Sequence, residues 1–156
     1  MSPKVYVETT IISYLAAVPS RDIVLAAHQQ LTREWWDRRD RFELFVSQAV
    51  VDEAAREDAV AAARRMALLT GIPLLALGSE VDEFANRLLR GNVVPGKATV
   101  DAIHIAVAAV NRVDYLVTWN CTHIANAAIR GKIKETCRGA GLEAPIVCTP
   151  EELMEA

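Results

Sequence analysis

Long hydrophobic runs, paired cysteines and surplus basic charge are all missing from this 156-residue sequence. The longest nearly uninterrupted apolar stretch, residues 102–110, contains His104 and falls far short of the ~20 residues that span a bilayer. A strand-like run begins by Lys4, which leaves no space for the charged and apolar regions of a secretory signal. The expectation is a soluble, cytoplasmic protein with no membrane partner. Cys121, Cys137 and Cys148 are odd in number, widely spaced and without a Cys-x-x-Cys pair. That excludes a disulfide framework and a cysteine zinc site, and leaves small thiols in a reducing compartment. With 17 Lys+Arg against 20 Asp+Glu the net charge is −3, so any nucleic-acid contact has to come from local patches. No internal repeat, low-complexity tract or Ser/Gly-rich linker divides the chain, so residues 1–156 read as one domain.

What is present is globular in character. Apolar residues make up 52% and charged residues 24%, near the averages of folded domains. A chain of this length buries roughly 68–70% of the surface it would expose unfolded, enough for a core without staples. Residues 5–7, 42–46, 72–77 and 115–118 read as short buried strands, and 145–148 as a fifth, less marked one. Helical patterns separate them, over 21–40, 47–56, 59–69, 79–90, 99–112 and 123–138. In the first, Val24, Ala27, Leu31 and Trp35 form a seam at helical spacing. Ser47 is an expected N-cap, and Gly71 an expected helix stop. Strands apolar on both faces, alternating with helices, predict an α/β fold with a parallel sheet of four to five strands covered on both sides.

In such a sheet, ligands bind beyond the carboxyl ends of the strands. Glu8 follows the first strand directly, and Asn120 stands just past the fourth. Glu53 lies in the first two turns of the helix after strand two. Asp101 lies in the first turn of the helix leading back to strand four. Three carboxylates and a carboxamide, distant in sequence, are predicted to meet at one rim. Each alone has a plainer reading: Asp101 complements a helix dipole, and Glu53 is a solvated acid near Arg56 and Glu57. Glu8 fits a plain role less well, because it ends an apolar strand and precedes Thr9-Thr10-Ile11-Ile12. Neighbouring half-buried carboxylates repel one another unless a cation lies between them, and oxygen ligands favour Mg²⁺ or Mn²⁺ over zinc.

These residues carry a family resemblance. Val5-Tyr6-Val7-Glu8-Thr9-Thr10, the Ser47-to-Glu53 helix, Asp101-Ala102-Ile103-His104-Ile105-Ala106 and Tyr115-Leu116-Val117-Thr118-Trp119-Asn120 occur in the order found in PIN-domain nucleases. The chain resembles most the VapC-like toxins of type II toxin–antitoxin pairs, over nearly its whole length. The Asp-Ala-x-His-x-Ala helix followed by a strand ending Thr-x-Asn is the most specific element. The resemblance implies a PIN-like three-layer α/β/α sandwich and Mg²⁺- or Mn²⁺-dependent cleavage of RNA. Glu8, Glu53 and Asp101 would hold the cation, Asn120 would complete the catalytic set, and Thr9, Thr10, His104 and Thr118 would support it. It also implies a homodimer and a cognate antitoxin that lays an amphipathic segment over the cleft. Two positions depart from the family pattern: Glu8 stands where Asp is usual, and Asn120 where Asp is frequent. A PIN-fold RNA- or protein-binding module whose altered acids no longer cleave is therefore the alternative function.

Other features carry less. Residues 91–98 have the glycine spacing and lysine of a phosphate-binding loop, but a helix precedes them and Ala98 takes the hydroxyl position, so a plain helix-to-helix loop is expected. Cys121 and His123 near Asn120 suggest a nucleophile and base, yet no orienting acid supports the pair. Arg38, Arg39 and Arg41, interleaved with Asp37 and Asp40, read as a solvated face. Arg56, Arg87, Arg90, Lys97 and Arg130 are candidates for phosphate contacts. Adjacent Trp35 and Trp36 cannot share one narrow helical stripe, so exposed aromatic area and an interface are expected there. A receiver or phosphatase-like domain would want a paired acid at the first strand or an Asp after the third, and neither is present.

Overall fold

The first strand shows why the sheet is parallel and enclosed. In β1 (Lys4–Val7), the consecutive residues Val5, Tyr6 and Val7 are all fully buried, so both faces of the strand are covered. The computed structural model describes residues 1–155 of the chain. Within them β1 is followed by α1 (Thr9–Ala16), α2 (Ile23–Asp37), a 3-10 turn (Arg39–Arg41) and β2 (Glu43–Ser47). Then come α3 (Gln48–Ala54), α4 (Ala59–Leu68), β3 (Leu74–Leu75), α5 (Ser79–Arg90), α6 (Thr99–Val110), β4 (Tyr115–Val117), α7 (Ala127–Gly139) and β5 (Ile146–Cys148).

All five strands are parallel, in the order β3-β2-β1-β4-β5. The chain moves from β1 outward to β3, then returns to place β4 on the other side of β1 and continues to β5. The right-handed crossover rule assigns α1–α4 to one face and α5–α7 to the other, giving a three-layer α/β/α sandwich. Packing within each group agrees: α1 meets α2, α3 and α4, and α5 meets α6 and α7. The reversal of strand order falls between β1 and β4, the point where open parallel sheets form a crevice at their carboxyl ends.

Two helices show how sequence sets their depth. In α5, Val81, Phe84, Ala85 and Leu88 recur at helical spacing, form its buried side and leave the acids and arginines outside. By contrast α6 is apolar nearly all round, with Ala102 and residues 104–109 buried. Its four buried alanines let it lie close against its neighbours, and it carries His104 into the interior. No helix of the described residues is long and apolar enough to cross a membrane.

Several boundaries differ from the sequence reading. Thr9-Thr10-Ile11-Ile12 is β-branched and was no obvious helix, yet it opens α1. Glu8 supplies the missing drive: its carboxylate caps the helix by accepting from the Thr10 backbone N–H at 3.1 Å, and Ile11 and Ile12 are fully buried. The third strand is two residues rather than six. It is an edge strand beginning after Pro73, which has no N–H to donate, and Leu74 is more than half exposed. Ser47 precedes α3 but makes no side-chain cap bond; its hydroxyl turns to Tyr6. Gly71, at φ +81°, reverses the chain between α4 and β3 in a conformation that favours glycine. Residues 91–98 are the helix-to-helix loop expected of them.

The tryptophans do not supply the exposed aromatic area expected of them. Trp35 is fully buried against Phe42, and Trp36 is half-buried under the Arg39 guanidinium, 4.6 Å from its ring centre. The exposed apolar side chains lie instead before and at the start of α2, at Val18, Ile23 and Val24.

Candidate functional site

Glu8 leaves β1 into the crevice beside β4. It is only 3% exposed, and its charge is met by hydroxyls. Thr10 and Thr118 each donate to Oε1 at 2.5 Å, while Oε2 takes the Thr10 amide. Thr10 Oγ1 also accepts the Trp119 backbone N–H, and Thr118 Oγ1 accepts that of Asn120. The two threonines thus join the carboxyl ends of β1 and β4 around one carboxylate.

Glu53 reaches the same place from α3. Its Oε1 accepts from Thr9 Oγ1 at 2.5 Å and from His104 Nε2 at 2.6 Å. Among the described residues nothing donates to its Oε2. The other His104 nitrogen, Nδ1, lies 2.8 Å from the Tyr6 hydroxyl, which lies 2.7 Å from Ser47 Oγ. A continuous buried chain therefore runs from Ser47 through Tyr6 and His104 to Glu53. Burial by itself would raise the Glu53 pKa, but the His104 hydrogen bond and charge, Thr9 and nearby Arg56 hold it below the usual range. Burial would lower that of His104, but Glu53, Glu8 and Asp101 raise it. Burial pushes the Tyr6 phenol upward, which keeps a neutral hydroxyl in the chain.

One ligand atom from each of Glu8, Glu53 and His104 lies within 4.8 Å of the others. Asp101 is not part of this group. Its Oδ1 accepts from Asn120 Nδ2 at 3.0 Å, and its Oδ2 lies 2.8 Å from His123 Nδ1. Asn120 Oδ1 in turn accepts the His123 backbone N–H at 2.9 Å. The structure thus brings the four residues of the sequence reading to the same edge, but in two sets: Glu8 and Glu53 with His104, and Asp101 with Asn120 and His123. Thr9, Thr10 and Thr118 all bond to the acids of the first set.

Sequence reasoning undervalued His123 and passed over Tyr6 and Ser47. His123 was weighed as a catalytic base near Cys121, whereas its bond is to Asp101. The spacing Asn120–His123 was the available signal, since a side-chain oxygen commonly accepts an amide three residues on. Nothing local marked Tyr6, whose partners are 41 and 98 residues away.

A cavity of about 280 Å³ opens on the first set; Glu8, Glu53, Thr9, Thr10, Arg56 and Arg65 are among its lining residues. Two larger ones lie elsewhere. About 700 Å³ opens at the opposite edge, beside Pro3, Asp114, Tyr115 and Ile146, with none of the acids above. About 440 Å³ opens between α5, α6 and the end of α7. Of the phosphate-contact candidates, Arg56 lines the acid cavity, Arg87 and Arg90 line the α5 cavity, and Arg130 pairs with Glu152 at 3.1 Å.

Fold and site together define a parallel three-layer α/β/α protein with an acid–imidazole crevice at its topological switch point. The chain matches no protein-family model and no curated protein sequence.

Proposed function

We propose that the protein is a metal-dependent endoribonuclease, acting in the cytoplasm as the toxin of a type II toxin–antitoxin pair. The observation carrying this reading is the meeting of Glu8, Glu53, Asp101 and Asn120 at one carboxyl edge, from four separate segments of a sequence that resembles PIN-domain nucleases. The donor set fits a hard divalent cation. Glu8 and Glu53 offer carboxylate oxygens and Glu53 Oε2 has no protein donor, a set that suits Mg²⁺ or Mn²⁺, while both His104 nitrogens are taken by Glu53 and Tyr6. Such a cation, when bound, supplies Lewis acidity toward a phosphoryl oxygen and toward attacking water.

The chain's own residues do the rest. The Thr10 and Thr118 hydroxyls fix the Glu8 side chain in the crevice and supply it with hydrogen bonds there. His104, held from behind by Tyr6, orients Glu53 so that one oxygen is engaged and one is left open. Asp101 adds negative charge next to the first set, and Asn120 keeps it there without adding more. A homodimer and an antitoxin whose basic side chain meets these acids belong to the same reading. The apolar residues Val18, Ile23 and Val24 are surface available to such partners.

The test is cleavage of RNA with Mg²⁺, with Mn²⁺ and with chelator. Cleavage is expected with either metal and none with chelator, and Asp101→Asn should abolish it while the protein stays folded. Metal-independent cleavage that survives Asp101→Ala would overturn the mechanism. A second reading, a PIN-fold module that binds RNA or protein without cutting, is favoured by one observation. Both oxygens of Glu8 and both of Asp101 already have protein partners. RNA binding without cleavage under any metal would select it.

A further inference from the structure

The acid cavity also contains a cation of the chain's own. Arg56 lines it together with Glu8 and Glu53 and influences the charge of Glu53, yet its guanidinium makes no hydrogen bond or ion pair among the described residues. Glu53 Oε1 is taken by Thr9 and His104 and the Glu8 carboxylate by Thr10 and Thr118, while Glu57, which also lines the cavity, forms no ion pair with Arg56.

The loop carrying Arg56 is held in place. Arg65, from α4, donates Nε to the Ala54 carbonyl at 2.8 Å and Nη2 to the Arg56 carbonyl at 2.6 Å. These bonds satisfy carbonyls at the end of α3 that have no helical partner. Glu57 takes the left-handed conformation at φ +66°, where glycine would be the easy choice, and Asp58 then caps α4 through the Ala61 amide at 3.1 Å. A two-point guanidinium clamp and a strained residue thus fix the backbone on both sides of an arginine whose side chain is unpaired.

We infer that Arg56 binds a phosphate of the RNA strand lying in this cleft, and that Arg65 is the positioning residue that holds it there. The inference rests on the nuclease reading above and names a residue for it. Carboxylates at the cavity floor repel a phosphodiester, so an approaching strand needs a cation that these acids do not already neutralise. A planar guanidinium takes two phosphate oxygens at once, which an ammonium does not.

Steady-state cleavage of a single-stranded RNA oligonucleotide with Mn²⁺ tests this in Arg56→Ala, Arg56→Lys, Arg65→Met, the double variant Arg56→Ala/Arg65→Met, and Arg87→Ala as a distant control. Arg56→Ala should raise KM about tenfold, the scale of one charge-assisted bond, with kcat changed less than about threefold. The salt dependence of log(kcat/KM) should become shallower by about 0.7, the loss of one phosphate contact on a single strand. Arg56→Lys should recover part of the affinity, and Arg87→Ala should match the parent protein. Arg65→Met should raise KM in the same direction, and the double variant should be no worse than Arg56→Ala alone. A parent protein that cleaves while Arg56→Ala keeps its KM and salt slope overturns the inference and leaves the nuclease reading intact. Additive losses in the double variant overturn the role of Arg65. A parent protein that neither cleaves nor binds RNA with metal overturns the nuclease reading, and this inference with it.

Discussion

Two acid–imidazole pairs stand at the carboxyl edge of this sheet, alike in chemistry and unlike in setting. Glu53–His104 joins at 2.6 Å and Asp101–His123 at 2.8 Å. The His104 side chain is 0% exposed, whereas that of His123 is 25% exposed. His104 is engaged at both ring nitrogens, and the chain behind it continues to Ser47. His123 is engaged at Nδ1 alone, on the turn-rich segment between β4 and α7. The first pair is a fixed part of the core that happens to end in a carboxylate. The second sits where solvent reaches both of its partners. A hydrogen bond of similar length therefore does structural work in one pair and is exchangeable in the other, because the penalty for leaving a group unpaired depends on its burial.

Removing each imidazole breaks or sharpens this contrast. His104→Ala leaves the Tyr6 hydroxyl buried without its ring partner and opens a void, so we expect a loss of about 3–4 kcal/mol, read from the denaturant midpoint. A loss below about 1 kcal/mol would mean that the buried chain is dispensable. Next comes Thr10→Val, which removes a donor to Glu8 and the acceptor of the Trp119 amide while keeping the shape. About 2 kcal/mol is expected from the same measurement. His123→Ala should cost only about 0.5–1 kcal/mol, since both partners stay within reach of water. Equal losses for the two histidines would end the distinction.

Substitutions that keep the fold probe the exchangeable side. Asn120→Asp replaces the amide that donates to Asp101 with a second carboxylate, so Mn²⁺ should bind more tightly in a calorimetric titration, while the metal-free protein should lose some stability to the like-charge contact. Unchanged affinity would place Asn120 away from the cation. Glu8→Asp draws the carboxylate back by one methylene and should alter metal preference without unfolding the protein. The smallest effect concerns the thiols. Burial pushes the Cys137 thiol up to about 11 and that of Cys148 up to about 12, while Cys121 is exposed on the loop beside His123. An alkylating reagent at pH 8 should modify Cys121 alone, which mass spectrometry of the folded protein reads directly. Comparable modification of Cys148 would show that the sheet edge opens as readily as the loop.

Much of the architecture was legible along the chain. Doubly apolar strands such as 5–7 and acids at strand ends are short-range patterns, and they determined an enclosed parallel α/β fold with Glu8, Glu53, Asp101 and Asn120 at one edge. The seam read along α2 was only partly right: Trp35 is buried, but Val24 and Ala27 are exposed and Gln29 and Thr32 face inward instead. Local patterns failed where long-range burial outweighed propensity, as in α1, where a capping carboxylate and two buried isoleucines make a helix of a β-branched run. Partner choice lay wholly in the tertiary structure. Thr118 and Glu8 are 110 residues apart, His104 and Glu53 are 51, and Tyr6 and His104 are 98. No periodicity records such pairings, because each is set by which strand lies beside β1 and how deeply α6 is sunk. The strand order that puts β4 against β1 decided that Glu8 is held by threonines from both strands. The depth of α6 decided that His104 meets Glu53 while Asp101, one turn earlier, stays at the rim.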